Sequence, residues 1–449
     1  MSADGILSGL FSRGPAADEV SDRALLSAMV EVEVALLRAL GRAGLAPLSA
    51  GDELAAATAG ASLDPTLLAE GTAAQGTPVP ALVKALRTHV CDGVAAHLHQ
   101  GATSQDIVDT AIMLVAQRAL RSIERQIAQA GDSCARLAEH HREALIPGRT
   151  LLQQALPVTF GLKAAGWLSG LDQTRAELLE VHDHVLAVQL GGAVGTLAAF
   201  GEHGLEIVAD VARQLGLSEP ELPWHTLRLR PARLAAALGA ALGMMGKIAR
   251  DVVLLAQTEV AEASERAGDG RGASSAMPQK QNPVGSVAVL ACAHRGPGLV
   301  ATILSAMVQE HERAAGAWQA EWEPLLELLR LTGSAAASLN EVLEGLSVNQ
   351  GKMTEDLGTT GDLLMSESVA VALAPSIGRP AAQDLVASAA RRSSQEGRSF
   401  REVLLESHEV ADSLGPSGLE QALDPRRYLG VAQALIDRAL VAHREHAER

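Results

Sequence analysis

Apolar residues recur at spacings of three and four along much of this chain, and the stretches that show the pattern contain no proline. Ile112, Ala116, Leu120, Ile123 and Ile127 form one such stripe, and Met245, Ile248, Val252 and Leu255 form another. A 3.6-residue turn brings such positions to one face, so the spacing predicts amphipathic helices. Proline is missing between Pro80 and Pro147, Pro157 and Pro220, Pro231 and Pro278, and Pro297 and Pro324. Those gaps permit long helices over 107–145, 161–190, 234–263 and 284–306, because proline in a helix interior removes a hydrogen bond and clashes with the preceding turn. Four or five long helices are expected to form a central bundle, with glycine and alanine allowing close approach.

The ends read differently. Gly51, Gly60, Pro65, Gly71, Pro78 and Pro80 break the first hundred residues into short helices, and Pro375, Pro380, Gly415 and Pro416 do the same near the other end. The pattern predicts an all-α chain of three domains: a helical one over 1–105, a long-helix bundle over 106–350 and a helical one over 351–449.

Composition supports this. At 449 residues the chain exceeds the roughly 250–300 residues that one core usually serves. Aromatic residues make up 2%, which suits helices packed through small side chains better than a β-sandwich. The net charge of -16 argues against a nucleic-acid partner, since phosphate binding needs a basic face. Cys91, Cys134 and Cys292 are too few and scattered for a disulfide framework or metal site, and are expected as buried small hydrophobes in a reducing compartment. No run of 18 uncharged apolar residues and no signal pattern over 1–18 is found, so neither a membrane partner nor export is expected and the chain reads as cytoplasmic.

Four polar clusters interrupt the helical pattern. Gly272-Ala-Ser-Ser-Ala-Met-Pro-Gln-Lys-Gln-Asn-Pro283 follows the glycine-rich 268–272 and places Ser274, Ser275, Met277, Lys280 and Asn282 on what reads as a mobile loop, 268–284. His99-Gln-Gly-Ala-Thr-Ser-Gln-Asp-Ile-Val-Asp109 lies at a helix start, where Thr103 or Ser104 serves either as a cap or, with the spare amides, as a seat for an anion. Arg149, Thr150, Gln153 and Gln154 precede Pro157, which is expected to kink a helix and turn these side chains towards a cavity or into a buried kink. The 309–323 stretch carries Arg313 and two tryptophans among acids, a composition more common in a packing seam. Glu259, four residues past Leu255, is expected on the apolar face as a buried carboxylate, whereas His182 and His184 point to different sides of a helix and suit no metal.

The loop closely resembles the SSxMPxKxNP signature of the fumarase/aspartase superfamily, matching at Ser274, Ser275, Met277, Pro278, Lys280, Asn282 and Pro283. HxGATSQDxxDT from His99 and GRTxxQxAxPxTxG from Gly148 are similar to its first two shared regions. The QEHER at 309–313, followed by GxWxAEW, is like the 3-carboxy-cis,cis-muconate cycloisomerase branch, as are 162–171 and 190–204. The resemblance implies Ser274 as proton-transfer residue, with Lys280 and His99 also catalytic. It implies a polycarboxylate substrate held by Thr103, Ser104, Arg149, Thr150, Gln153, Gln154, Ser275, Met277, Asn282 and Arg313. Neither metal nor organic cofactor is implied, and the partner is the chain itself, as a homotetramer whose sites are shared by three subunits. The activity implied is anti addition of a carboxylate across a diene to give a carboxymuconolactone, in the protocatechuate branch of the β-ketoadipate pathway. Gln154, Gln279 and Gln319 stand where histidine is common in that branch. They keep open a lyase that releases fumarate from a nitrosuccinate, adenylosuccinate or argininosuccinate type of substrate and, behind it, a catalytically silent structural relative.

Overall fold

The computed structural model describes residues 5–60, 63–266, 272–274, 276–277 and 279–447. The chain is all-α: among the described residues the strands are confined to two small antiparallel pairs, Leu145–Thr150 with Gln153–Thr159 and Ala263–Ser264 with Ser347–Val348. The long helices are Asp22–Arg42, Ser104–His140, Phe160–His184, Leu229–Leu255, Val284–Ser305 and Ala317–Glu344. Of the four predicted spans, three begin or end within a few residues of the observed helix, and the third predicted one stops at Leu255 rather than 263. Asp22–Arg42 is a 21-residue helix where short pieces were expected, and Ala317–Glu344, which had no predicted span, runs on through Pro324.

Contacts divide the chain into two units, each built from three separate segments: residues 1–129, 173–249 and 285–341 in the first, and 130–172, 250–284 and 342–449 in the second. In the first unit, Asp22–Arg42 begins at Ser21, whose side chain accepts from the Ala24 amide, and buries Leu26, Met29, Val32, Leu36, Leu37 and Leu40. Leu229–Leu255 and Val284–Ser305 approach closely at glycines. A Cβ built on Gly239 lies 2.8 Å from Val300, one on Gly246 lies 2.8 Å from Ala293, and one on Gly296 lies 2.7 Å from Leu242. A methyl at Gly246 would meet the Ala293 Cβ, which has no rotamer to yield, whereas at Gly239 and Gly296 the side chains of Val300 and Leu242 would have to shift. By length and composition Val284–Ser305 is apolar enough to cross a membrane, yet only 28% of its most apolar stretch is buried. Val287 and Leu304 are about half exposed.

In the second unit, Phe160 and Trp167 meet edge to face, and the Trp167 indole donates to Asp251 at 2.7 Å. Short helices from Ser366 to Leu423 enclose a core of Val369, Leu373, Val386, Phe400, Leu404, Val410 and Leu419. One of them opens with a capping box between Ser399 and Glu402.

The segment around Pro157 corrects the sequence expectation: it is a β-hairpin, not a helix kink. Pro147 faces Pro157 across the pair, and neither has an amide to lose, so the ladder tolerates both. Val158, Thr159 and Ile146 favour strand, and Leu151 and Leu152 form the two-residue turn at φ +51° and +65°. Cys91 is also exposed, not buried, while Cys134 and Cys292 are buried as expected.

Candidate functional site

In the first unit, the loop before Ser104–His140 is braced by Asp106. This buried carboxylate accepts from the amides of Thr103 at 2.9 Å, Gly191 at 3.0 Å and Gly192 at 2.9 Å, and meets His225 Nε2 at 2.7 Å. Asp106 thus fixes the backbone just before the helix start, and no hydroxyl cap from Thr103 or Ser104 is formed among the described residues. Among the described residues the hydroxyls of these two make no hydrogen bond, and both are half-buried. They remain available to a ligand at the positive end of a 37-residue helix.

His99 stands five residues earlier in a left-handed conformation, φ +60°. Its Nδ1 lies 2.8 Å from Oε1 of Glu33, which is fully buried on Asp22–Arg42. Burial works hardest on this imidazole and opposes its charge, but the Glu33 hydrogen bond and the charges of Glu33 and Asp106 outweigh it and raise the pKa.

Arg228 organises the layer below. Its guanidinium contacts Asp109 at 2.7 and 3.0 Å and Glu321 at 2.7 Å, lies 4.8 Å over the Trp224 ring and is buried like both carboxylates. Burial disfavours the Arg228 charge, but the two carboxylates overcome it and raise the pKa further. Burial likewise raises Glu321, against the pull of Arg228. The Trp318 indole donates to Asp109 at 2.9 Å, which places one of the two tryptophans of the 309–323 stretch in this network. Gln105 donates to Asp109 and to the His225 carbonyl, which turns its oxygen towards Arg313 at 3.4 Å. Arg313 also donates to the Ala193 carbonyl at 2.7 Å; these two contacts engage no carboxylate. Gln319 reaches the Gly76 carbonyl at 3.4 Å.

The second unit carries the hairpin and the serine loop. Because paired residues share a face, Arg149 with Gln154 and Thr150 with Gln153 project to opposite sides of the hairpin. Arg149 is engaged by buried Glu262 in a two-pronged pair at 2.7 and 2.9 Å, so part of its charge is already neutralised. Gln154 is likewise turned aside, donating to the Asp356 carbonyl at 3.0 Å. Thr150 and Gln153 are exposed beside the turn, and no side-chain partner holds either among the described residues. Leu151 is 96% exposed at the tip. Two leucines held in left-handed backbone cost on the order of 1 kcal/mol each, a strain that marks the tip as a place to look for function.

The buried carboxylate of this unit is Glu262, not Glu259. The helix ends at Leu255, so the chain turns before Glu259, which is exposed, and the amide of Glu262 returns to the Leu255 carbonyl at 3.0 Å. Burial raises the Glu262 pKa, Arg149 lowers it and the charge of Asp356 raises it again.

On the loop, Ser274 Oγ accepts from the amides of Ala276 at 3.3 Å and Met277 at 3.1 Å. Two amides aimed at one hydroxyl oxygen are suited to an alkoxide as well. The base of the loop is closed by Gly272, whose carbonyl accepts from the backbone of Asn282 at 2.9 Å and its side chain at 3.0 Å. A Cβ at Gly272 would lie 2.3 Å from the Asn282 oxygen, and its φ is +64°, so this position needs glycine. Met277, Gln279 and Lys280 are exposed, and Lys280 forms no ion pair among the described residues. Ser275, Pro278 and residues 267–271 lie outside the described residues. Among those described, no group of three His, Cys, Asp or Glu is arranged to hold a metal ion.

The predicted residues fall into two sets: His99, Thr103, Ser104 and Arg313 in the first unit, and Arg149, Thr150, Gln153, Gln154, Ser274, Met277, Lys280 and Asn282 in the second. The supporting residues Glu33, Gln105, Arg228 and Glu262 were not singled out from sequence. A charged residue at a core position of an apolar helix was the available signal for Glu33.

A model of the lyase family matches residues 17–298, and one of the adenylosuccinate lyase C-terminus matches 362–439. The chain is 44% identical to the 3-carboxy-cis,cis-muconate cycloisomerase of Pseudomonas aeruginosa, over 98% of this chain and 97% of that one. It is 42% identical to the nitrosuccinate lyase of Streptomyces davaonensis, over 97% and 94%. Its structure is similar to that of the 3-carboxy-cis,cis-muconate lactonizing enzyme from Pseudomonas putida, with a TM-score of 0.92 and 37% identity over 98% of this chain and 99% of the other.

Proposed function

We propose that this chain, which belongs to the lyase family and with it to the fumarase/aspartase superfamily, is a cycloisomerase that closes 3-carboxy-cis,cis-muconate to a carboxymuconolactone. The observation that carries the reading is Ser274 Oγ held by the amides of Ala276 and Met277. A substrate carboxylate oxygen adds to one end of the conjugated system, forming the ring C–O bond. The displaced electron pair moves to the carbon next to a second carboxylate, which delocalises it. The Ser274 hydroxyl gives its proton to that carbon and is left as an alkoxide on the two amides. A serine hydroxyl is too weak an acid or base to act unaided, and preorganised donors at the developing charge are worth roughly 3–4 kcal/mol each. Lys280, close in sequence and without an ion-pair partner among the described residues, supplies positive charge.

Thr103, Ser104 and Arg313 take the carboxylates of the substrate, with Thr150, Gln153 and the second donor of the Asn282 amide as neutral partners. The site is completed by assembly: the chain works as a homotetramer whose three shared regions come from different subunits. The half-exposed apolar face of Val284–Ser305 supports this, because water disfavours so large an apolar helix face and a second copy relieves it.

A second reading is favoured by Gln154, turned towards Asp356, and by Gln279 at an exposed loop position, since neither offers an imidazole for proton delivery. It is a lyase that eliminates a group from a substituted succinate to give fumarate, as the name of the nitrosuccinate lyase relative suggests. Incubating the purified protein with 3-carboxy-cis,cis-muconate, nitrosuccinate, adenylosuccinate and argininosuccinate separates the two. Loss of the diene absorbance supports the cycloisomerase, and fumarate release without it supports the lyase.

A further inference from the structure

Glu33 is an unusual residue for its place. It lies on the inward face of Asp22–Arg42 among Met29, Val32, Leu36 and Leu37, and its carboxylate is fully buried. Oε1 meets His99 Nδ1 at 2.8 Å, and Oε2 has no hydrogen-bond partner. His99 is therefore the one hydrogen-bonding partner of this carboxylate among the described residues. A buried carboxylate facing a neutral ring alone leaves its charge uncompensated, whereas one facing an imidazolium forms an ion pair. His99 Nδ1 is committed to Glu33, and Nε2 is the remaining donor of a half-buried ring held at positive φ, four and five residues before the free hydroxyls of Thr103 and Ser104.

We propose that Glu33 is a positioning residue of the substrate site: it holds His99 as a cation, so that Nε2 donates to a carboxylate of the substrate beside Thr103 and Ser104. This rests on the reading that these hydroxyls seat a carboxylate. It gives His99 a role in anion binding in place of acid-base exchange, because a proton stabilised by a buried partner is not readily released. The charged groups that act on the ring are Glu33, Asp106 on Ser104–His140, and Arg87 at the end of Val79–Arg87. The two carboxylates favour the cation and Arg87 opposes it.

The test is calorimetric titration with tricarballylate, a saturated tricarboxylate that cannot react, on the wild type, Glu33→Gln, His99→Gln and the double variant, each checked for assembly by light scattering. Glu33→Gln keeps the shape and removes the charge. Each single variant is expected to weaken binding about tenfold, the effect of one charge-assisted hydrogen bond, and the double variant no further. Wild-type affinity in Glu33→Gln, multiplying effects in the double variant, or a wild type without affinity for tricarballylate would overturn the proposal. If Glu33→Gln does not assemble, His99→Gln decides, and undiminished affinity there overturns it too. Because no turnover is involved, a protein that behaves as expected here yet leaves the muconate untouched contradicts the cycloisomerase reading and not the Glu33–His99 pair.

Discussion

The Oγ of Ser274 and the amide of Met277 stand 3.1 Å apart, with the amide donating. The same geometry that turns the loop presents a donor to any charge that develops on the oxygen. Ser274→Ala removes the hydroxyl and leaves Gly272 and Asn282 to close the loop, so assembly is expected to persist while kcat falls by about 10²–10⁴-fold, the range for loss of a positioned proton-transfer group. Steady-state kinetics with light scattering on the same sample checks this, and near-normal turnover removes Ser274 from the reaction.

Arg228 compensates two buried carboxylates at once. Arg228→Met strands Asp109 and Glu321 and is expected to cost about 3–5 kcal/mol or prevent folding, because a buried charge that loses its partner keeps its desolvation penalty. Replacing Asp109 and Glu321 by leucine in the same chain is expected to restore much of the loss. Urea unfolding of the single and triple variants decides, and a silent single variant contradicts the network.

The Arg149–Glu262 pair predicts a pH signature. Burial raises the Glu262 pKa, so the neutral acid is favoured by the fold, and any stability that this gives is present at low pH and lost as pH rises through the folded value. Arg149 offsets the loss at neutral pH. Arg149→Leu should therefore be destabilised most near neutrality, with the deficit shrinking on acidification as Glu262 takes up a proton. Denaturant midpoints measured from pH 7 down to pH 5 test the sign, and a deficit that grows on acidification contradicts it.

His99 gives the same sign from the opposite charge. Its pKa is raised above the ordinary 6.5, so the stability contributed by its pair with Glu33 is fully present below that value and is lost as pH rises through the folded pKa. The difference in stability between wild type and Glu33→Gln should narrow as pH is raised from 6 towards 9. A constant difference over that window would show that the ring does not change charge there.

The apolar face of Val284–Ser305 predicts assembly. Val287→Glu combined with Leu304→Glu adds charge at two half-exposed positions, so the isolated chain should fold while the oligomer dissociates. Light scattering reads the outcome, and an unchanged mass excludes this face from the interface.

The long helices were legible because their signal repeats: Ile112 to Ile127 and Met245 to Leu255 each carry the period through several turns. The hairpin was not, because Pro157 reads as a helix breaker in either context and Leu151-Leu152 carries none of the glycine or asparagine that usually marks a two-residue turn. The polar residues of the site were named from motifs, but their partners were not. Glu262 pairs with Arg149 113 positions away, and Arg228 joins Asp109 to Glu321 across 119 and 93 positions. No local period encodes such pairs. Glu259 continues the apolar spacing past Leu255, where the helix has already ended, so the spacing points to the wrong carboxylate.

The role proposed for Ser274 is proton transfer in ring closure of a muconate. The most direct measurement is the ultraviolet progress curve of 3-carboxy-cis,cis-muconate with the assembled protein, run beside Ser274→Ala and beside fumarate release from nitrosuccinate, adenylosuccinate and argininosuccinate. The expected result is loss of the diene absorbance by the wild type, slowed by about 10²–10⁴-fold in Ser274→Ala, with no fumarate formed. Fumarate from any of the three succinates, with the muconate unchanged, would contradict it.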